Sequence, residues 1–401
     1  MSRFLFVVPP LSGHVNPTLS LGTALLLSGH EVAWLSVDVN LEKLIPSGGK
    51  FFCAYQEESD ANKHEAYQNQ ISSKNVTGIE SVKFLYEDVL IPLNRYMYEH
   101  IKACVSSFNP DVIINDQQLF SGAIVAQQQR LKYATSVTAP AAVKMQQDLP
   151  GVSGWEANQI ITLQHELGLA QETSVACSND LTLVYTSQEF FGEMELDRNY
   201  KFIGLSTLNR PTKFDFNWEL FHAMPYKYKI LVSIGTTFDH FFKRDFFSKV
   251  IEAFSNQDLG VIVVSDPTLF EEWPSNFIVS KKIPQLDLLP FFDAVICHGG
   301  HNTVCETLNN GVPLVVVPIA YDQSYVAGRV VATGAGLRLN YRRFKAYHLL
   351  SSLQSVLFEP SYRLAAEKLR HSFEQAGGVS YAVKLLEDLA LDNIYNNKNT
   401  I

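Results

Sequence analysis

His14 ends the run Pro9-Pro10-Leu11-Ser12-Gly13-His14, which follows the apolar stretch Phe4–Val8, and Asp116 follows a second apolar stretch, Asp111–Asn115. Histidine is the side chain best suited to take up a proton near neutral pH. A carboxylate beside it fixes the tautomer and stabilises the imidazolium. If the two stretches are neighbouring parallel strands, the residues at their carboxyl ends meet in space. The pair then reads as a general base with an orienting carboxylate, half of a triad without a protein nucleophile. Taken singly, His14 reads equally as a loop histidine and Asp116 as a helix cap. Their shared location favours the pair.

A second constellation lies in the other half of the chain. Lys229–Ile234 runs into Gly235-Thr236-Thr237, and Asp293–Cys297 runs into His298-Gly299-Gly300-His301-Asn302-Thr303. Glycines let a backbone approach a ligand closely, and a helix N-terminus offers N–H groups with partial positive charge. This is the composition of a phosphate seat, to which Thr236, His298 and Thr303 add side-chain donors. Glu306, about one turn into the following helix, suits the two hydroxyls of a ribose. Asp322 and Gln323 follow another strand, Pro313–Val317, and pair an acceptor with a mixed donor–acceptor, which suits adjacent hydroxyls of a hexose. Asp322 serves equally as an N-cap. His301 and Cys305 read as loop and packing residues.

The elements that must position these groups alternate short β-branched or aromatic runs with helical segments, the pattern of parallel α/β domains. The first half offers strands at Phe4–Val8, Glu31–Val37, Phe51–Tyr55, Asp111–Asn115, Tyr133–Thr138, Leu181–Tyr185 and Lys201–Ile203, with a helix over Thr18–Ser28 stopped by Gly29. An order 3-2-1-4 puts Phe4–Val8 beside Asp111–Asn115. The second half offers strands at Lys229–Ile234, Gly260–Val264, Phe277–Ser280, Asp293–Cys297, Pro313–Val317 and Gly336–Leu339. Its expected helices are His240–Ser255, Asn302–Asn310, Asp322–Thr333, His348–Phe358 and Ser361–Gln375. Leu205–Tyr226, with Pro211 and Pro225 and little periodicity, is the linker candidate. Polar Glu57–Glu80 reads as a mobile loop and Ala139–Leu167 as a stretch without a clean period, and each suits either a substrate lid or a plain surface excursion.

Composition narrows the classes. The chain has 401 residues, with 32 Lys plus Arg against 41 Asp plus Glu for a net charge of −9, and it is 46% hydrophobic and 18% charged. That is enough apolar material for large cores. The acidic balance offers no footprint for nucleic acid or an anionic membrane. No apolar run is long enough for a transmembrane segment, and Phe4–Val8 is too short for a signal-peptide core. The 5 cysteines, Cys53, Cys104, Cys177, Cys297 and Cys305, are odd in number and never spaced as a metal pair, which suits reduced thiols in the cytoplasm.

The motif His298-Gly299-Gly300-His301-Asn302-Thr303, followed by Glu306, Gly311-Val312-Pro313, Pro318 and Asp322-Gln323, resembles the donor signature of glycosyltransferase family one, the UDP-glycosyltransferase superfamily. Within it the chain is similar to the macrolide glycosyltransferase-like branch of bacterial natural-product enzymes. Ile283-Pro284-Gln285, Leu289-Pro290, Ser233-Ile234-Gly235-Thr236 and Gly13-His14-Val15-Asn16-Pro17 extend the resemblance over nearly the whole chain. It implies a GT-B fold: two Rossmann-like doubly wound α/β domains facing a central cleft. Residues 1–208 would form the acceptor-binding domain, 209–226 the linker and 227–380 the nucleotide-sugar domain, with 381–401 returning as a helix to the first domain. By the same resemblance Ile283 and Gln285 frame the base and Glu306 binds ribose. Gly235, Thr236, His298, Gly300, Asn302 and Thr303 serve the diphosphate, while Asp322 and Gln323 hold the sugar. Plant relatives stack a tryptophan on the base where this chain has Ile283, which leaves uridine against thymidine open.

The expected activity is an inverting, metal-independent transfer of a hexose from a UDP-sugar or TDP-sugar to a hydroxyl of a lipophilic small molecule. His14 would take the acceptor proton and Asp116 stabilise the imidazolium. Fixed dipoles would meet the leaving diphosphate in place of a cation, since no acidic Asp-x-Asp motif occurs. Phe120, Met145 and Trp155, with Tyr86, offer apolar contacts for the acceptor, though each also suits core packing. A nucleotide-sugar epimerase and a non-catalytic sugar-nucleotide binding protein are the competing readings. A dinucleotide-dependent oxidoreductase lacks its Gly-x-Gly-x-x-Gly after the first strand.

Overall fold

The computed structural model describes residues 1–54, 79–207, 216–235, 240–320 and 322–398. The chain divides into two units: Met1–Gln188 with Glu193–Arg210 and Gln375–Ile401, and Pro211–Glu374 with Glu189–Gly192.

The first unit is built on a 7-stranded sheet in the order β3-β2-β1-β4-β5-β6-β7. Its strands are β1 (Arg3–Val7), β2 (Glu31–Ser36), β3 (Lys50–Cys53), β4 (Val112–Asp116), β5 (Lys132–Val137), β6 (Leu181–Val184) and β7 (Tyr200–Phe202). Every ladder is parallel. Phe4 and Phe6 enter the core cluster on one face, while Leu5 and Val7, which alternate with them, are also 0% exposed, so β1 is covered on both faces. That explains its unbroken apolar run. The cluster also gathers Val15, Leu19, Leu21 and Leu25 of the Ser12–Leu27 helix and Val379, Ala382, Leu386 and Ala390 of the last helix, Gly378–Lys398. The last helix is further fixed where His30 Nε2 meets Glu387 Oε1 at 2.9 Å.

The first helix starts at Ser12 rather than Thr18, and His14 lies inside its first turn rather than before it. Pro17 argues for a later start, because an interior proline forfeits one ladder donor. That loss is local, and the eight buried residues of this helix, from Val15 to Leu25, outweigh it. Ala139–Leu167 departs from the sequence reading in the same way. It forms two helices, Ala141–Asp148 and Pro150–Glu166, with Pro140 at the first N-cap and Pro150 in the opening turn of the second. The prolines that blur the periodicity are helix starters. Of the expected mobile loop Glu57–Glu80, only Ile79 and Glu80 are among the described residues, and they open a short helix, Ile79–Phe84.

The second unit repeats the plan with a 6-stranded sheet in the order β10-β9-β8-β11-β12-β13. Its strands are β8 (Lys229–Ser233), β9 (Gly260–Val264), β10 (Phe277–Ser280), β11 (Ala294–Cys297), β12 (Leu314–Val316) and β13 (Gly336–Arg338). Again every pairing is parallel. Its core joins these strands to the helices His240–Phe254 and Ala346–Phe358. Glu189–Gly192, from earlier in the chain, is held within this unit by Arg329 Nε donating to Phe190 O at 2.7 Å and Tyr325 Oη donating to Phe191 O at 3.1 Å.

Both sheets have a switch point. In the first, β1 lies between β2 and β4 with Val7 opposite Asn115, and in the second β8 lies between β9 and β11 with Ser233 opposite Cys297. Chain segments leaving the two central strands diverge there, and the gap at their carboxyl ends is where such sheets bind ligands.

Candidate active site

In the first unit the switch point brings His14 and Asp116 into contact. His14 Nδ1 lies 2.9 Å from Asp116 Oδ2 and 3.1 Å from Oδ1. The carboxylate is wholly buried while the imidazole side chain keeps 12% of its exposure. Asp116 Oδ1 also accepts the backbone N–H of Gln118 at 2.9 Å, so the loop after β4 sets the carboxylate's orientation. A carboxylate against Nδ1 holds the proton there and makes Nε2 the basic nitrogen.

Thr138 is a third member that the sequence reading missed. Its hydroxyl lies 2.8 Å from His14 Nδ1 and 3.4 Å from Asp116 Oδ2, and the residue is 3% exposed. A signal was present: Thr138 follows β5 as Asp116 ends β4, and the two strands pair with Asp116 opposite Ser136. The strand-end rule, carried one strand further, finds it.

The three residues expected to touch an acceptor fare differently. Phe120 is 2% exposed and belongs to the packed interior, because it opens a helix buried from Phe120 to Ala126. Tyr86 stacks on it at 6.0 Å, and Trp155 meets Tyr86 edge-on at 5.7 Å. Trp155 and Met145 are half-buried. Glu156, next to Trp155, has its carboxyl pushed up to about 7 by burial.

In the second unit the groups after β8 and β11 converge. Gly235 has φ +78°, and a Cβ there would come within 2.9 Å of the His298 ring; one on Gly300 would come within 2.8 Å of it. The imidazole is therefore seated between two glycine backbones. Gly299 has φ +92°, and a Cβ there would meet Val316 Cγ1 at 2.9 Å and the Gln323 carbonyl at 3.1 Å. Burial holds His298 down to about 4, against the opposing effect of a hydrogen bond with the Ser233 backbone. Near neutral pH it is an uncharged N–H donor.

The helix His301–Asn309 begins at Gly300 without a side-chain cap, and Asn302 and Thr303 stand half-buried in its first turn. Glu306 lies in the second turn, 4% exposed, and accepts from Gln285 Nε2 at 2.6 Å. Ile283 is buried at 6% exposure. Asp322 occupies the N-cap position of Gln323–Ala332 but its side chain makes no capping hydrogen bond. Gln323 is 5% exposed, and its Oε1 accepts the N–H groups of Ile319 and Ala320, both at 2.9 Å. Half of its side-chain function is thus structural. Thr236 lies outside the described residues. His301 packs near Phe190, with its Nε2 3.4 Å from Cys305 Sγ.

Two parallel, doubly wound units, one with a histidine–carboxylate pair and one with a glycine-lined helix entry, are the GT-B glycosyltransferase architecture. CalG4, the calicheamicin glycosyltransferase, superposes with a TM-score of 0.77 at 20% identity, covering 97% of this chain and 98% of its own. Glycosyltransferase VinC, solved in complex with DTDP, gives 0.76 at 21% identity, covering 97% and 100%. NDP-glycosyltransferase YjiC of Bacillus subtilis (strain 168) is 26% identical over 389 residues, 94% of this chain and 95% of that protein. Residues 248–373 match the family described as UDP-glucoronosyl and UDP-glucosyl transferase. The chain is a glycosyltransferase, and its match to that family's model lies in its second half.

Among the described residues no helix is long and apolar enough to cross a membrane, and no cluster of three or more His, Cys, Asp or Glu could hold a metal ion.

Proposed function

We propose that this enzyme transfers a hexose, with inversion and without a metal ion, from a nucleotide diphosphate sugar to a hydroxyl of a lipophilic small molecule. The observation that carries the reading is the His14–Asp116 contact at 2.9 Å. His14 Nε2 takes the proton of the acceptor hydroxyl while its oxygen bonds to the anomeric carbon. The bond to the diphosphate breaks with its electron pair leaving on the diphosphate oxygen. Asp116 stabilises the imidazolium.

In the second unit the N–H groups at the start of His301–Asn309 donate to the diphosphate, supplying the positive potential a cation would otherwise provide, and His298 lines the same seat. Glu306 takes the ribose, Gln285 and Ile283 the base, and Asp322 with the carboxamide nitrogen of Gln323 the sugar. UDP and thymidine diphosphate are the candidate nucleotides, from the family matched and from the ligand of VinC. The half-buried rings of Tyr86 and Trp155 support an aromatic or polycyclic acceptor, in keeping with the calicheamicin named for CalG4. The free cysteines suit a reducing, cytoplasmic setting.

The test is a screen of nucleotide sugars against aromatic and polyketide-like alcohols by mass spectrometry, with the anomeric configuration of any product read by NMR. Release of nucleotide diphosphate only when acceptor is present, with an inverted product, supports the reading. Sugar interconversion without acceptor would replace it with epimerisation.

A further inference from the structure

We propose that Thr138 is a positioning residue of the transfer reaction: its hydroxyl donates to Asp116 Oδ2 and shares the hydrogen on His14 Nδ1, fixing the imidazole in the tautomer whose Nε2 is the base. This rests on the reading of His14 as the general base.

The number of hydrogens available to the three residues is limiting. Nδ1 carries at most one, and three oxygens face it: Thr138 Oγ1 at 2.8 Å, Asp116 Oδ2 at 2.9 Å and Asp116 Oδ1 at 3.1 Å. A hydroxyl beside a ring nitrogen can donate to a bare Nδ1, which places the ring proton on Nε2 and disables the base. It can instead accept from Nδ1–H. The carboxylate decides between them, because a bare Nδ1 lone pair 2.9 Å from a carboxylate oxygen sets two acceptors face to face in a buried site. With Nδ1–H in place the hydroxyl proton must point elsewhere, and Asp116 Oδ2 at 3.4 Å is the acceptor within reach.

The result is a closed three-residue ring of hydrogen bonds. Its backbone supports are separate: His14 on the first helix, Asp116 at the end of β4 and Thr138 just past β5. Asp116 Oδ1 is already engaged by the Gln118 N–H, so rotation of the carboxylate away from His14 would break that bond as well. When the acceptor proton arrives at Nε2, the charge that develops on the ring strengthens the Nδ1–H donation to both oxygens. The contribution of Thr138 is therefore largest when a base is needed.

This gives a signature that a general packing defect would not. The experiment compares wild type, Thr138→Val, Thr138→Ser and His14→Ala with one donor and a series of acceptors running from nitrophenol to an aliphatic alcohol. Thr138→Val is expected to lower kcat/KM by about 10-fold with the alcohol, the scale of one hydrogen bond to a charged group. The loss should shrink towards none with nitrophenol, whose oxygen is ionised without help. The donor KM should not move, and Thr138→Ser should restore activity to within about threefold, since it returns the hydroxyl.

Equal losses for every acceptor, a raised donor KM at constant kcat, or failure of Thr138→Ser to restore activity would each overturn the proposal. His14→Ala separates the two levels. If it shows no dependence on acceptor acidity, the general-base reading itself fails; if it shows one and Thr138→Val does not, only the role of Thr138 fails. Should Thr138→Val not fold, Thr138→Ala read against Thr138→Ser decides by the same acceptor series: a loss that shrinks towards nitrophenol in the alanine variant alone is expected, and equal losses for every acceptor would overturn the proposal.

Discussion

Gln285 Nε2 donates to Glu306 Oε2 at 2.6 Å, joining two residues separated by 21 positions. Gln285 opens a four-residue helix after β10, and Glu306 sits in the second turn of the helix after β11. The carboxamide thus orients the carboxylate proposed to take the ribose. Two side chains that the sequence assigns to separate parts of a nucleotide act as one unit.

Glu306→Ala is therefore expected to weaken binding of the bare nucleotide diphosphate by roughly 1.5–3 kcal/mol, the scale of a charged hydrogen bond. Gln285→Ala should lose less, because it leaves the carboxylate in place and removes its orientation together with one contact proposed to the base. Calorimetry with UDP and with its 2′-deoxy analogue checks both; a Glu306→Ala variant that binds UDP as wild type does would remove the residue from the ribose site.

Gln323 needs a subtler substitution than alanine. Its Oε1 carries the Ile319 and Ala320 N–H groups, so Gln323→Ala should both destabilise the loop by about 1–2 kcal/mol and impair turnover. Gln323→Glu keeps an acceptor for the loop and removes the NH₂ donor. It is expected to retain the melting temperature and the affinity for bare nucleotide diphosphate while changing sugar preference, measured with UDP-glucose against UDP-galactose. Asp322→Ala should behave like Gln323→Glu.

His298 makes stability depend on pH. Its folded-state value of about 4 lies below the ordinary histidine value of 6.5, so below pH 6.5 the unfolded chain takes up a proton that the folded chain refuses. This term is absent above neutrality and grows as pH falls towards 4. It should cost about 2 kcal/mol between pH 7 and pH 5. Urea unfolding of wild type and His298→Gln at both pH values isolates the term, which should be missing from the variant. A parallel pH dependence in the two proteins would mean that His298 is not the group responsible.

Chelation provides the test of the phosphate seat. Transfer is expected to be unchanged after dialysis against EDTA and in its presence, because the N–H groups of the helix start at Gly300 are proposed to meet the leaving diphosphate. Abolition by EDTA with recovery on adding magnesium or manganese would contradict this.

Gly300→Ala addresses the same seat from the backbone. Its Cβ would lie 2.8 Å from His298 Nε2, so the ring must move or the turn must open. Nucleotide affinity is expected to fall by about 10-fold or more while the fold is retained, since overpacking costs typically 1–3 kcal/mol. Unaltered affinity would show that the ring position is immaterial to binding.

The central strands of both sheets were legible because an apolar β-branched run buried on both faces has few alternatives. Phe4–Val8 and Asp293–Cys297 coincide with β1 and β11 to within a residue at each end. The meeting of His14 with Asp116 was legible too, since in a parallel doubly wound sheet strand order alone fixes which strand ends are neighbours. Helix starts at prolines were not. Pro17 inside one helix and Pro150 at the start of another look alike in sequence, and only packing distinguishes a tolerated proline from a starter. Side-chain pairing lay further out of reach. That Thr138 closes a ring on His14 and Asp116, that Gln285 orients Glu306, and that Gln323 spends its carbonyl on Ile319 and Ala320 all depend on rotamers and on loops a few ångströms apart. Periodicity carries no information about either. The amino-acid order determined which strand ends meet, and the tertiary structure decided which atoms there share a proton, because a hydrogen bond is set over tenths of an ångström and a strand order over whole strands.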